Sequence, residues 1–138
     1  MSLLAFVSMF ILMYAMVDSL PNVFANVNQF YMAGLMAAPM VVIELLLMGM
    51  MYKDKRLNTI LIVISIAATC IFYFLIRQQG LVSDRQFLKS MIPHHAGAIL
   101  MCEEANITDP EVKKLCESIV QSQRKEIEQM KTKLKELE

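Results

Sequence analysis

Residues 91–101 read Met91-Ile92-Pro93-His94-His95-Ala96-Gly97-Ala98-Ile99-Leu100-Met101, and this stretch holds both histidines of the chain. It lies within a predicted helix that Pro93 interrupts just before the histidines, because proline has no N–H to donate to the carbonyl four residues earlier, at Lys89. A kink that orients His94 and His95 and a kink that is only tolerated are both compatible with the pattern.

The stretch carries donor atoms that suit soft metal ions. Imidazole nitrogen binds Zn, Cu, Fe and Ni, and thioether sulfur favours Cu(I) over hard ions such as Mg. Residues three and four apart share a helix face, so Met91 lies one turn from both histidines. The candidate metal ligands are Met91, His94, His95 and Met101, with Cys102 as a candidate additional ligand.

Adjacent histidines pose a geometric problem for a single metal ion. Consecutive side chains diverge by about 100° around an α-helix, so an undistorted helix does not direct both imidazoles at one ion. Either the two rings serve different sites, or a second helix or subunit completes one site. In the alternative interpretation, His94 and His95 pack with satisfied hydrogen bonds while Met91 and Met101 fill the core.

Four stretches of the second half form a recognisable pattern: Asp84-Arg85-Gln86-Phe87-Leu88, residues 91–99, Asp109-Pro110-Glu111-Val112, and Gln123-Arg124-Lys125-Glu126-Ile127-Glu128-Gln129-Met130. On this pattern the chain from about Asp84 onward resembles the family called domain of unknown function 305. Family members are small, helical and ferritin-like, and some are periplasmic copper-binding proteins. The resemblance therefore implies metal binding at Met91, His94, His95 and Met101, whereas Cys102 departs from the family pattern.

The first 80 residues have the composition of a membrane domain. The chain is 57% hydrophobic, and three apolar segments predict membrane spans at about residues 3–20, 30–52 and 57–77. The basic turn with Lys53, Lys55 and Arg56 favours a cytoplasmic position for that turn. Three spans then place the second domain outside, although Arg77 argues the other way. The family resemblance favours a bacterial inner membrane with a periplasmic or extracellular domain.

Residues 81–138 predict an antiparallel helical hairpin. Ser83 with Gln86, and Thr108 with Glu111, form capping boxes that open helices over about 84–105 and 109–137. Two helices cannot bury both of their apolar faces well. The predicted fold is therefore all-α, with three transmembrane helices and a hairpin that self-associates into a four-helix, ferritin-like bundle.

Folding the hairpin about residue 107 places Gln123 and Glu126 near the histidines, where they are candidate outer partners that orient an imidazole. The alternative for both is a solvated helix face. A disulfide between Cys102 and Cys116, two packed free thiols, and a Cys102 thiolate bound to metal all remain open. Cys70, in the third span, is most simply a packing residue.

Methionines also recur along the second predicted span. A candidate membrane pathway for Cu(I) consists of Met32, Met36, Met40, Glu44 and Met48. A carboxylate at membrane depth is costly and often marks a pathway or a polar partner. Ordinary apolar filling by methionine is the alternative interpretation.

No catalytic motif is visible, so we expect no enzyme, and the balanced charge gives no indication of nucleic-acid binding. The leading hypothesis is a membrane-anchored protein that binds a copper ion, or silver, for buffering, tolerance or delivery. Its expected partners are membrane lipid, a second copy of itself and a copper donor or acceptor protein. The alternatives are a structural membrane subunit whose hairpin drives oligomerisation without metal, and a Cu(I) conduit through the membrane.

Overall fold

The protein is all-helical in the part of the chain that its computed structural model describes, residues 2–49 and 51–137. Met50, inside the second predicted span, lies outside the described residues. Five α-helices follow one another as α1 (Ser2–Leu12), α2 (Val27–Leu47), α3 (Lys55–Gln78), α4 (Asp84–Glu104) and α5 (Pro110–Glu136), with short 3₁₀ helices at Met13–Met16 and Leu20–Asn22. They form two compact units, residues 2–13 with 27–81 and residues 14–26 with 82–137.

In the first unit, α2 and α3 pack through small residues. Ala33, Gly34 and Ala37 are buried, and a Cβ atom on Gly34 would lie 2.5 Å from the ring of Phe72. Small side chains let apolar helices approach closely, so that dispersion contacts hold them together. At one end of the antiparallel pair, the Tyr31 hydroxyl donates to the Gly80 carbonyl at 2.8 Å.

Two helices are long and apolar enough to cross a membrane by length and composition, Val27–Leu47 and Lys55–Gln78. They correspond to the second and third predicted spans. The first predicted span, residues 3–20, contains a shorter apolar helix: α1 ends at Leu12 and a 3₁₀ helix continues to Met16, so that the crossing by this segment stays a prediction. At 1.5 Å per residue, α1 is roughly 16 Å long, against about 30 Å of bilayer hydrocarbon. It packs on α2, where the Phe6 and Phe30 ring centroids are 5.0 Å apart.

The second unit contains the predicted hairpin, and both helix starts have a capping side chain. Ser83 accepts from the Gln86 N–H, as the first capping box predicts. The second cap is one residue later than predicted: Asp109, not Thr108, accepts from the N–H groups of Glu111 and Val112. Pro110 then occupies the first turn of α5, where no donor is needed.

The core of this unit joins three pieces of chain. Ile92, Ala96, Ile99, Ile127 and Leu134 form the buried cluster of α4 and α5. Val17 and Phe24 pack against the same cluster, so residues 14–26 are an integral layer of the hairpin unit. We call these residues the strap. The sequence interpretation assigned residues 14–20 to the end of the first span and residues 21–26 to the connection after it, and it placed neither part with the hairpin.

The strap also supplies the hydrogen-bond donor that Pro93 lacks. Helix α4 runs through Pro93 without a break, which leaves the Lys89 carbonyl without its usual helical donor. The side-chain amide of Asn26, itself buried, donates to that carbonyl at 3.4 Å and to the Phe24 carbonyl at 2.9 Å. A proline in one helix is thus accommodated by an asparagine 63 residues away.

This pairing can be tested by amide hydrogen exchange in α4. Replacing Asn26 with Ala leaves the half-buried Lys89 carbonyl unpaired, which costs about 1–3 kcal/mol. We expect exchange around residues 88–93 to become roughly tenfold faster, since about 1.4 kcal/mol corresponds to a factor of ten. In a Pro93→Ala background, where residue 93 regains an N–H, Asn26→Ala should have a clearly smaller effect. Equal effects in both backgrounds would contradict the pairing.

The α2–α3 contact gives a second prediction. Gly34→Ala should lower the stability of the helix pair by about 1–3 kcal/mol, because the added methyl overlaps the Phe72 ring. Gly34→Ala combined with Phe72→Leu should recover much of that loss. The measurement is the midpoint of unfolding by SDS in mixed micelles, followed by circular dichroism. A Gly34→Ala variant as stable as the unmodified protein would show that the two helices do not pack this closely.

Candidate metal site on the helical hairpin

The two histidines of α4 occupy opposite environments. His95 is 9% exposed and lies against α5, whereas His94 is exposed. This follows from their adjacency, since consecutive side chains diverge by about 100° around the helix. Their ring centroids are 6.1 Å apart. The structure therefore separates two residues that the sequence interpretation treated alike.

Both ring nitrogens of His95 are occupied by protein groups. Nδ1 lies 2.9 Å from the Met91 carbonyl oxygen, and Nε2 lies 2.8 Å from Oε2 of Glu126 on α5. A backbone carbonyl can only accept, so Nδ1 carries a hydrogen. Nε2 is therefore the nitrogen that faces the Glu126 carboxyl group. A metal ion could reach this imidazole only by displacing Glu126.

His94 differs from His95 in its hydrogen bonds, because its imidazole makes none with the residues that the structure describes. Met91, one helical turn earlier, is half-buried, and Met101 is 54% exposed. Met101 lies seven residues beyond His94, which is roughly 10 Å along the helix axis. A single chain thus offers the pair Met91 and His94, with Met101 two turns away.

The four predicted ligands do not converge within one chain. Among residues 2–49 and 51–137, no three His, Cys, Asp or Glu side chains form a group that could hold a metal ion. Thioether sulfurs are outside that count, and Met91 and Met101 supply them. Of the two predicted imidazole ligands, the one of His94 is exposed, and Met91 lies one helical turn before it.

The two predicted outer partners behave differently. Glu126 does bond to an imidazole, that of His95. Gln123 is half-buried and makes no hydrogen bond with either histidine. Its neighbour Arg124 pairs with Glu103 at 2.6 Å across the two helices. A fold about residue 107 would pair residue 95 with residues near 119 and residue 103 with residues near 111. The structure instead bonds residue 95 to residue 126 and residue 103 to residue 124, so the register of the hairpin differs from the predicted one.

Cys102 is joined to Cys116 by a disulfide, with their Cα atoms 5.3 Å apart. Of the three alternatives left open by the sequence, the structure has this one. Cys102 as an additional metal ligand is therefore wrong for the protein in this form, because a disulfide sulfur carries no thiolate charge to offer a metal. The bond closes the hairpin beside the turn at residues 105–109.

The methionine line on α2 is not enclosed within one chain. Met32, Met36, Met40 and Met48 are between 37% and 45% exposed, so they form an outer stripe and not an internal path. Glu44 lies three residues before the end of α2, and its carboxylate accepts from the Tyr52 hydroxyl at 3.0 Å. That hydrogen bond and the negative charge of Glu44 raise the pKa of Tyr52. Glu44 is thus a partnered residue near a helix end.

Sequence reasoning missed the strap residues that position this site. A hypothetical Cβ atom on Gly97 would lie 3.3 Å from the Met16 carbonyl, so the strap crosses α4 one turn after the histidines. Asn22 is buried and donates to Asp18 and Ser19, which closes the 3₁₀ turn of the strap. The sequence did contain a signal for this contact. Pro93 leaves the Lys89 carbonyl without its helical donor, and the asparagine side chains of residues 22–28 could supply one.

Comparisons with known proteins agree on the relationship and name no activity. The family model described as "Domain of unknown function (DUF305)" matches residues 74–134, which include all of α4 and most of α5. An uncharacterized protein of Acanthamoeba polyphaga mimivirus is 35% identical over 121 residues, covering 86% of this chain and 78% of its own. That coverage extends well into the apolar half, so the relative shares both halves. No solved structure matches the chain. The chain belongs to the DUF305 family, as its Met-Ile-Pro-His-His stretch predicted.

Proposed function

We propose that this protein is a membrane-anchored binder of a soft metal ion, Cu(I) or Ag(I), and that the hairpin presents the ion for buffering, tolerance or delivery to a partner protein. One observation carries the proposal: of two adjacent imidazoles, His95 is hydrogen-bonded to Glu126 and to the Met91 carbonyl, while His94 is exposed one helical turn after Met91. The first metal ligands are then His94 and Met91. His95 acts as a positioning residue that fixes α4 against α5.

The donor chemistry supports Cu(I) over harder ions. Thioether and imidazole together suit a soft monovalent ion, whereas Mg²⁺ or Ca²⁺ would require several oxygen ligands in place of Met91 and His94. Two or three ligands satisfy Cu(I), so His94 and Met91 can begin a site that a third donor completes. Met101 lies too far along the same helix to be that donor in one chain, given the rise of about 1.5 Å per residue.

A second copy of the chain is the proposed source of the remaining donor. The hairpin exposes large apolar side chains at Phe87, Met101, Val112 and Leu115, and such side chains are typical of a face that packs against a partner. An antiparallel pairing of two α4 helices would bring Met101 of one copy toward His94 of the other. The result would be the four-helix arrangement expected from the sequence.

The length and apolar surface of α2 and α3 support the proposed anchoring by these two helices. Asn28 bonds to Gln79 at 3.0 Å, so α2 begins where α3 ends. The opposite end carries Lys53, Lys55 and Arg56, which favours a cytoplasmic position for the turn. The Cys102–Cys116 disulfide supports an oxidising compartment for the hairpin.

Substitution of the two histidines separates their roles. We expect His94→Gln to lower the affinity for Cu(I) at least tenfold, and Met91→Leu to act in the same direction, with the helix content unchanged. The matched control is His95→Gln, which should retain Cu(I) affinity within a few-fold while amide exchange in α4 and α5 accelerates. Affinity is measured by competition with bicinchoninate on the full chain in detergent. Equal losses in the two histidine variants would contradict the proposal.

A structural membrane subunit without metal is the second candidate. The bond between His95 and Glu126 favours it, because that bond ties two helices as this hypothesis expects of the histidines. It predicts purified protein with no stoichiometric metal, and a His94→Ala/His95→Ala variant that loses its oligomer. Elemental analysis together with the native mass distinguishes the two candidates.

A further inference from the structure

We infer that Cys102 and Cys116, when reduced, form a second soft-metal site: a dithiolate pair that binds one Cu(I) or Ag(I) ion. None of Met91, His94 or Met101 belongs to this site, so the inference goes beyond the proposed function and does not depend on it. In the oxidised protein the site is absent, because its two sulfurs are bonded to each other.

The distance between the two backbones suits such an ion. The Cα atoms of Cys102 and Cys116 are 5.3 Å apart, and metal–thiolate bonds are about 2.3 Å long, so a two-coordinate ion holds its sulfurs roughly 4–5 Å apart. Small rotations of the two side chains reach that separation without movement of the helices. Zn²⁺ needs four ligands, and no group of three His, Cys, Asp or Glu residues is present in residues 2–49 and 51–137. A two-coordinate soft ion is therefore the better match.

The hairpin keeps the two thiols opposed after the bond opens. On one side the chain turns at residues 105–109, and the Asp109 cap holds the first turn of α5. On the other side Glu103 and Arg124 pair across the helices at 2.6 Å, and the buried cluster around Ile99 and Ile127 lies beyond them. These contacts do not involve the disulfide. The reduced pair is consequently pre-organised, which lowers the ordering cost of binding.

Reagents can reach the sulfurs. Both cysteines are half-buried, and they border an open groove of about 540 Å³ whose lining includes Glu103, Lys113 and Glu117. A dithiol reductant opens the bond by exchange: its thiolate attacks one sulfur, the second cysteine leaves as a thiolate, and the second reductant thiol then releases the mixed disulfide. Two electrons and two protons are transferred, and the reductant becomes a disulfide. Cu(I) then replaces the two thiol protons.

The test compares oxidised and reduced full-length protein in detergent, in a Cys70→Ser background because Cys70 is an exposed thiol on α3. The protein is reduced with a phosphine, desalted without oxygen and titrated with Cu(I) held by bicinchoninate. We expect reduction to add one equivalent of bound Cu(I) per chain. The Met91→Leu/His94→Gln variant should keep this additional equivalent even though it loses the first site.

The matched variant is Cys102→Ser/Cys116→Ser, which should bind the same amount of Cu(I) with and without reductant. A reduced protein that gains no equivalent, or a serine variant that gains as much, would overturn the inference. A second measurement does not depend on that variant folding. Cu(I) should protect both reduced thiols from iodoacetamide, seen as unmodified Cys102 and Cys116 by mass spectrometry, and full alkylation in the presence of Cu(I) would equally refute the site.

Discussion

The hydrogen bond between His95 and Glu126 is the constraint on which the hairpin's chemistry depends. It joins α4 to α5 at 2.8 Å, and the Met91 carbonyl holds the other side of the same ring. Once one imidazole is fixed toward α5, the adjacent residue must point away from it, because neighbours on a helix diverge by about 100°. His94 is thus exposed because the adjacent His95 is buried against α5. A hydrogen bond to a charged group contributes roughly 1.5–3 kcal/mol when buried, and less here because Glu126 is half-exposed.

The strap and the disulfide support this arrangement from two directions. The strap contacts α4 at Lys89, where Asn26 compensates for Pro93, and at Gly97, where an added Cβ atom would lie 3.3 Å from the Met16 carbonyl oxygen. The disulfide fixes the far end of the hairpin beside the turn. Along α4, the histidines lie between the two strap contacts, and the disulfide lies beyond both of these contacts at Cys102. A metal-binding face on a short helical hairpin requires such support, since small cores supply little stability of their own.

The sequence predicted the helices well because their signals are local. Apolar runs of about 20 residues marked α2 and α3, and Ser83 marked the start of α4. Glu126 was identified because a hairpin brings the middle of α5 near the histidines. The contacts that were missed are long-range: Asn26 with Lys89 spans 63 residues, and helical periodicity shows which residues share a face but not which segment covers that face. For the same reason periodicity could not distinguish His94 from His95, nor show that the methionine stripe of α2 lies on an outer surface.

The most direct measurement uses the fact that the chain has only two histidines. In a sample labelled with nitrogen-15, each imidazole gives a resolvable set of ring signals. As Ag(I) is added, one ring should show a large nitrogen shift that is absent in His94→Gln. The other ring should keep both nitrogens hydrogen-bonded, and in Glu126→Ala its Nε2 should lose that hydrogen bond. A metal-dependent shift at His95, with loss of its bond to Glu126, would contradict the account.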